Sequence, residues 1–458
     1  MTWELNSTKI GSVRIYNYLT REVEELKPIN EGQIGLYTCG PTVYDFVHIG
    51  NWRTFTFEDV LKRALQFNGF QVTHVMNFTD IDDKIIKRSR EEGIELSELT
   101  QKYETAFRED LGKINILPAD FYTRATEYIP QMLELIQKLL DRGIAYKADD
   151  GIYFSVEKFS DYGKLSGLRK VDLKKGARVN DDLYDKESWS DFVLWKFKKE
   201  GEPSWSAPFG EGRPGWHIEC SAMSVEKLGE HFDIHCGGVD LLFPHHENEI
   251  AQSEAATGAK FVNVWMEGEH LLVSGEKMSK SLENFYKLDD IAAKGFDPLA
   301  LRYLFLAAHY RSKLNFTWQS LQSAQNALES IRYQVASMMV DGVGEVSADH
   351  LKEFANAVGN DLDMPRAIAA LHALLKADLA PDVKYATILK FDEVFGLELA
   401  KVKAEKLPKG AQKLINQREL LRKDGKFDES DNLRQELLAM GVEVEDTPEG
   451  SKWKIVNK

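Results

Sequence analysis

Cysteine is scarce in this chain: three residues, Cys39, Cys220 and Cys236, are scattered over 458 positions. Their number and separation argue against a disulfide framework and for reduced thiols that are either chemically employed or buried. Long apolar runs are missing as well. No stretch approaches the roughly 20 residues that a membrane-crossing helix needs, so no membrane partner is expected. The opening segment MTWELNSTKIGSVRIYNYLTREVEEL has neither a basic start nor an apolar signal stretch, which predicts a cytoplasmic location. Positive charge is in deficit: 58 Lys and Arg against 73 Asp and Glu give a net charge of −15. Indiscriminate binding to nucleic-acid phosphate is therefore disfavoured, and any RNA contact must use local basic surface. Low-complexity segments and internal repeats are absent too.

What is present is ordinary for a globular protein, with 43% hydrophobic and 29% charged residues. The length exceeds what one hydrophobic core usually fills, so two to four packed units are expected. The first reads strand, loop, helix, strand: QIGLYTCG, then PTVYDFVHIGN, then WRTFTFEDVLKRALQFNG, then FQVTHVMNFTD. Phe55, Val60, Leu61, Ala64 and Leu65 have helical spacing, and Gly69 supplies a left-handed cap. A βαβ unit makes its strands parallel and puts Cys39 and Thr79 at one carboxyl edge, where such sheets bind ligands.

Beyond Asp80 the simple alternation stops. Helical segments near 96–116 and 124–142 and the strand-like GIYFSVEKF and SDFVLWKF predict an inserted domain, after which GEHFDIHCGG and KFVNVWMEGEHLLV resume the sheet. From Trp318 to about Ala400, Leu, Ala and Ile recur at helical spacing, as in a helical bundle. KLPKG reads as a linker. Two amphipathic stretches around KDGKFDES and a hairpin through Pro448, Glu449 and Gly450 then make a small α/β unit.

Three features carry chemistry. HIGN, His48 to Asn51, lies between the first strand and its helix, where an imidazole, a glycine and a helix N-terminus approach polyphosphate; taken alone, a histidine and glycine at a turn are more often structural. KMSKS, Lys277 to Ser281, places two ammonium groups on one loop, suited to charge developing on a triphosphate, although an isolated lysine pair is usually a solvated loop. The third feature is dispersed: Cys39, PGWHIECSAM with Cys220, and FPHHENEIAQS with His245 and Glu249. A helix starting near Pro244 would put His245 and Glu249 on one face. Thiolate, imidazole and carboxylate are competent zinc ligands, but the two cysteines are not the close pair usual in structural zinc sites, and spacing leaves core thiols as the alternative. Cys236 is open to the same two readings.

In combination these segments resemble a known family. YTCGPTVYDFVHIGN, NFTDIDDKI, PGWHIECSAM, DLLFPHHENEIAQS and KMSKSLENF, in this order, are similar to the catalytic motifs of bacterial cysteinyl-tRNA synthetases, and AIAALHALL and EVEDTPEGSKW extend the likeness over nearly the whole chain. HIGN and KMSKS mark the broader class I synthetase family; the thiol- and histidine-containing segments mark the cysteine branch. The resemblance implies Cys39, Cys220, His245 and Glu249 as ligands of one Zn2+. It implies HIGN (His48, Gly50, Asn51) and KMSKS (Lys277, Lys280) as ATP-binding and catalytic elements, with Lys280 the principal lysine. Thr79 and Trp216 are implied as the polar contact and the wall of the cysteine pocket.

Three positions depart from the family pattern. Asn51 replaces a histidine and cannot become cationic, Cys236 stands where glycine is frequent, and Glu283 follows KMSKSL where glycine is common. The implied fold is α/β: a Rossmann-like class I catalytic domain with an insertion, then a helical bundle and a small C-terminal α/β anticodon-binding domain. Expected boundaries are 1–120 and 215–275 for the two catalytic halves, 121–214 for the insertion and 276–317 for the KMSKS and stem-contact region. The helical domain is expected over 318–400 and the anticodon domain over 401–458. The implied reaction activates L-cysteine with ATP and Mg2+ and charges tRNA(Cys), by a chain expected to be monomeric; a ligase joining cysteine to an amino-sugar, as in mycothiol biosynthesis, is the rival. No motif in the insertion suggests hydrolysis of mischarged product.

Overall fold

The computed structural model describes residues 12–168, 191–278, 284–339, 344–402, 408, 410–447 and 450–455. At its centre lies a parallel sheet of five strands: β1 (Gln33–Thr38), β2 (Gln71–Phe78), β3 (Phe121–Arg124), β4 (Phe232–Gly238) and β5 (Val262–Gly268), in the spatial order β5-β4-β1-β2-β3. Strands covered on both faces read as continuous buried runs, and every residue of FDIHCGG in β4 is buried. From β1 the chain builds outward through β2 and β3, then returns to build β4 and β5 on the other side. The order reverses between β1 and β4, and ligands of open parallel sheets bind in the crevice outside the carboxyl ends at such a point. The N–H of Cys39, just past β1, donates to the Cys236 carbonyl in β4 (3.2 Å) at this place.

β3 begins one residue past the boundary expected at residue 120. It pairs with β2 from Val75↔Phe121 to Phe78↔Arg124, so the first half of the sheet continues to Arg124. The excursion that follows contains the helix Ile129–Asp141 and a four-stranded antiparallel sheet made by Ala145–Lys147, Gly151–Phe154, Phe192–Phe197 and Gly212–Pro214.

Helix α1 (Ile49–Phe67) connects β1 to β2. Its apolar residues are buried as their spacing requires, and Gly69 follows with φ +86°. An ordinary amphipathic helix would leave its charged side in water. Here Glu58, Asp59, Lys62 and Arg63 are buried too: the helices Pro298–Leu306 and Pro381–Phe395 pack against α1, and Lys62 Nζ donates to the Pro118 carbonyl and to Asp120. Asp59 accepts from Arg63 Nε (2.8 Å) and from Arg302 Nη2 (2.5 Å), which ties α1 to that helical layer.

A small sheet follows β5. β6 (Leu271–Val273) pairs antiparallel with β7 (Glu276–Lys277) and parallel with β8 (Leu314–Phe316). Four helices, Trp318–Ser337, Ala348–Val358, Met364–Lys376 and Pro381–Phe395, make the helical region. The C-terminal unit has helices Ala411–Lys423 and Phe427–Ala439, then the hairpin Val442–Thr447 with Gly450–Ile455, around a core of Ala411, Ile415, Leu437, Val442 and Val444. Pro448, Glu449 and most of KLPKG lie outside the described residues. No helix among the described residues is long and apolar enough to cross a membrane.

Arg418, a residue whose charge would suit an RNA phosphate, has another task. It is fully buried and grips Asp446 of the hairpin with both terminal nitrogens, at 2.5 and 2.8 Å. Arg418→Ala is expected to destabilise this unit by about 2 kcal/mol, the usual loss for hydrogen bonds to a charged group, read by urea unfolding of the full chain. The hydrogen bond from Arg418 holds the Asp446 carboxyl below its ordinary value. That contribution is therefore complete above the normal carboxylate range and fades as pH falls through the depressed value.

Candidate active site

Three segments converge at the reversal point. Cys39 follows β1; α2 (Trp216–Leu228) supplies Trp216 and Cys220; and the turn Leu242–His246, running into α3 (Glu247–Thr257), supplies His245 and Glu249. The helix expected from Pro244 needs correction: residues 242–246 form a wider π-type turn with Phe243 extended, and the regular helix begins at Glu247. His245 and Glu249 still meet because the turn runs straight into α3, with His245 Nε2 3.0 Å from Glu249 Oε1.

Ligand atoms of Cys39, Cys220, His245 and Glu249 all lie within 4.8 Å of one another, and all four residues are buried. A second quartet, Cys39, His235, His246 and Glu249, is equally compact. His245 Nδ1 is 2.9 Å from His217 Nδ1, and its Nε2 meets Glu249 Oε1. His235 Nε2 is likewise 3.0 Å from Glu249 Oε2, while His246 sits between Cys39 Sγ (3.6 Å) and Glu267 Oε1 (2.7 Å). The donor atoms distinguish the two quartets. The first quartet unites the thiols of Cys39 and Cys220, a donor set that suits zinc.

Electrostatics fit a cation. Burial and the hydrogen bond to Cys220 push the Cys39 thiol well above its usual range, whereas that same hydrogen bond holds the Cys220 sulfur down at about 6. Burial opposes charge on His245, but Glu249 and Cys220 outweigh it and raise the imidazole to about 10. Glu249 is held well below the carboxylate range: burial pushes it up, and His235 and His245 more than reverse this. The quartet is thus a buried set of mutually compensating acid and base groups, the setting in which a divalent ion replaces protons.

Beside it, Trp216 is partly exposed and stacks on the His245 ring, with centroids 4.4 Å apart. Thr79, at the carboxyl end of β2, donates to Glu219 Oε2 (3.1 Å). His48 caps α1: its Nδ1 accepts the Asn51 N–H at 3.2 Å. That nitrogen is thereby unprotonated, so the proton of the neutral ring is on Nε2. A side chain at Gly50 would stand 3.0 Å from the His48 ring and 3.3 Å from Met278 Cε, so glycine permits the close approach of HIGN to the start of KMSKS. Lys277 ends β7; its side chain, and all of Lys280 and Glu283, lie outside the described residues. Cys236 is fully buried in the core and belongs to neither quartet.

Sequence reasoning passed over His217, Glu219, His235 and Glu267, and met His246 only as the neighbour of His245 in FPHHENEIAQS. The adjacent pair in FPHH was a signal for His246, and polar residues inside the apolar strands FDIHCGG and VNVWMEG were a signal for His235 and Glu267.

Known proteins resemble this chain over most of its length. Residues 25–326 match tRNA synthetases class I (C) catalytic domain, and residues 404–453 match Cysteinyl-tRNA ligase anticodon binding domain. The chain is 45% identical over 466 residues to a cysteine–tRNA ligase of Protochlamydia amoebophila, covering 96% of this chain and 98% of that protein. It is 43% identical over 476 residues to one of Thermococcus onnurineus, covering 97% and 100%. Among solved structures, a Mycobacterium tuberculosis methionyl-tRNA synthetase in complex with methionyl-adenylate aligns with a TM-score of 0.57 at 14% identity, over 80% of this chain and 90% of that one. A putative arginyl-tRNA synthetase of Campylobacter jejuni gives 0.54 at 14% identity, over 83% and 95%. The structures establish the shared fold. Near full-length likeness to the two ligases, joined to a catalytic-domain match over most of the sequence, places this chain in the cysteine–tRNA ligase family of class I synthetases.

Proposed function

We propose that the protein activates L-cysteine with ATP and transfers it to tRNA(Cys). A cysteine carboxylate oxygen attacks the α-phosphorus and the bond to the β-phosphate oxygen breaks, giving cysteinyl-adenylate and pyrophosphate. A terminal ribose hydroxyl of the tRNA then attacks the cysteinyl carbonyl and AMP leaves. No covalent protein nucleophile is needed, and catalysis rests on positioning and charge stabilisation. The observation that carries this reading is the buried quartet Cys39, Cys220, His245 and Glu249 at the reversal point of the sheet. Zinc held there would supply a preference for a substrate thiolate over a hydroxyl. Trp216 and Thr79 line the amino-acid side. His48, Asn51 and the N-terminus of α1 receive phosphate, Lys277 and Lys280 offset charge on the departing pyrophosphate, and Mg2+ enters with ATP.

Cysteine-dependent ATP–pyrophosphate exchange, followed by a choice of tRNA or amino-sugar as acceptor, tests the reading. Exchange with cysteine and charging of tRNA are expected; transfer to amino-sugar alone would favour the rival ligase. The match of residues 404–453 to an anticodon binding domain supports tRNA, because a small acceptor has no use for such a unit. Truncation after Val402 is accordingly expected to leave exchange near its full rate while tRNA charging falls by about 100-fold, the scale of several lost phosphate and stacking contacts. Undiminished charging by the folded truncation would refute the assignment of this unit to tRNA.

A further inference from the structure

Arg53 stands on α1 shortly after HIGN, at the side that meets the small sheet carrying Lys277. It is buried, and among the described residues its hydrogen bonds go to four backbone carbonyls rather than to a carboxylate. Nη1 donates to Glu269 (2.8 Å) and His270 (2.5 Å), and Nη2 donates to His309 (3.4 Å) and, at closer range, to Ser312. Glu269 and His270 immediately precede β6, and His309 and Ser312 stand shortly before β8. β6 pairs with both β8 and β7, and β7 ends at Lys277. One guanidinium therefore holds the entrances to two of the three strands of the sheet on which KMSKS begins.

The chain beyond KMSKS returns to the same helix. Ile49 N–H donates to the Tyr286 carbonyl at 2.9 Å, and the His48 ring meets Phe285 edge-on with centroids 4.6 Å apart. A carboxylate partner would fix one side chain against Arg53; four carbonyls fix two stretches of main chain. Burial lowers the guanidinium to about 10, so it remains charged at neutral pH and keeps its charge-assisted hydrogen bonds.

We propose that Arg53 is a positioning residue for cysteine activation: by holding both entrances of the small sheet against the first turns of α1, it sets the separation between HIGN and KMSKS. This rests on the reading of those two segments as the ATP-binding elements. Cys39, Thr79, Trp216, Cys220, His245 and Glu249 come from β1, β2, α2, α3 and their adjoining turns, none of which Arg53 bonds. Its removal should accordingly separate the ATP side of the reaction from the cysteine side.

The test uses the full-length, metal-loaded protein with Arg53→Met and Arg53→Lys. Cysteine-dependent exchange gives kcat and the KM for ATP, and calorimetric titration of cysteine without ATP gives its dissociation constant. In the Met variant kcat/KM for ATP is expected to fall by about 100-fold, the scale of a misplacement of roughly 1 Å at reacting groups, while cysteine affinity stays at the wild-type value. The Lys variant should recover part of the loss, since one ammonium reaches the carbonyls of only one stretch. Wild-type ATP parameters in the Met variant, or cysteine affinity falling in step with exchange, would overturn the proposal. If the Met variant does not fold, the same split is read from the Lys variant, and unchanged ATP parameters there overturn it. Absence of exchange in the wild-type protein would instead sink the cysteine-activating reading beneath it.

Discussion

Replacing Cys220 by serine is expected to abolish stoichiometric zinc binding and to reduce the preference for cysteine over serine by about 100-fold or more. Even groups that only orient a metal ligand cost 10- to 100-fold in metal affinity when lost, and Cys220 is one of only two thiols in the quartet. The loss should fall on selectivity because serine has nearly the shape of cysteine, and steric pockets separate such close analogues poorly. Metal content per chain and exchange rates with each amino acid read the two effects separately. A metal-free Cys220→Ser protein that still rejects serine as the wild type does would place discrimination elsewhere. The fold itself should survive, because the surrounding core supplies Ile218, Met223, Ile250 and Trp265 as buried neighbours in the same cluster.

Lys280→Ala is expected to slow adenylate formation by about 100-fold or more while leaving cysteine affinity little changed, since one preorganised group facing developing charge is worth roughly that much. Although Lys280 lies outside the described residues, the start of its segment is placed: Lys277 ends β7, and Met278 comes within 3.3 Å of where a Gly50 side chain would begin. The lysine adds little to the ground state if its charge matters most as pyrophosphate departs, so kcat should fall with the KM for cysteine preserved. Single-turnover formation of adenylate, followed with cysteine and ATP in excess, measures this. A wild-type rate would show that KMSKS is not catalytic in this protein.

How much was legible in the sequence depended on the kind of signal. The βαβ unit at residues 33–78 could be read because hydrophobic period and a capping glycine coincide there, and the strand pair Gln33–Thr38 and Gln71–Phe78 is parallel as that reading requires. α1 was legible as a helix but not as a helix buried on every side: its charged residues look solvated until Arg302, 243 positions from Asp59, is brought beside it. The strand at Phe121–Arg124 was missed because four residues flanked by helices carry too little period to register. Spacing could not gather the quartet, because Cys39 and Cys220 meet only through the sheet and α2; the family resemblance named them first. His235 and Glu267 were overlooked since an isolated buried polar residue in an apolar strand signals only that a partner exists, and not which.

The central claim, that a metal held by Cys39, Cys220, His245 and Glu249 selects cysteine by its thiol, is tested most directly by the visible spectrum of the cobalt-substituted protein. One cobalt per chain should bind. Addition of cysteine should then add intensity in the sulfur-to-metal charge-transfer region, while serine at saturating concentration should add none. A protein that takes up no cobalt, or whose spectrum is the same with cysteine as with serine, would contradict the account.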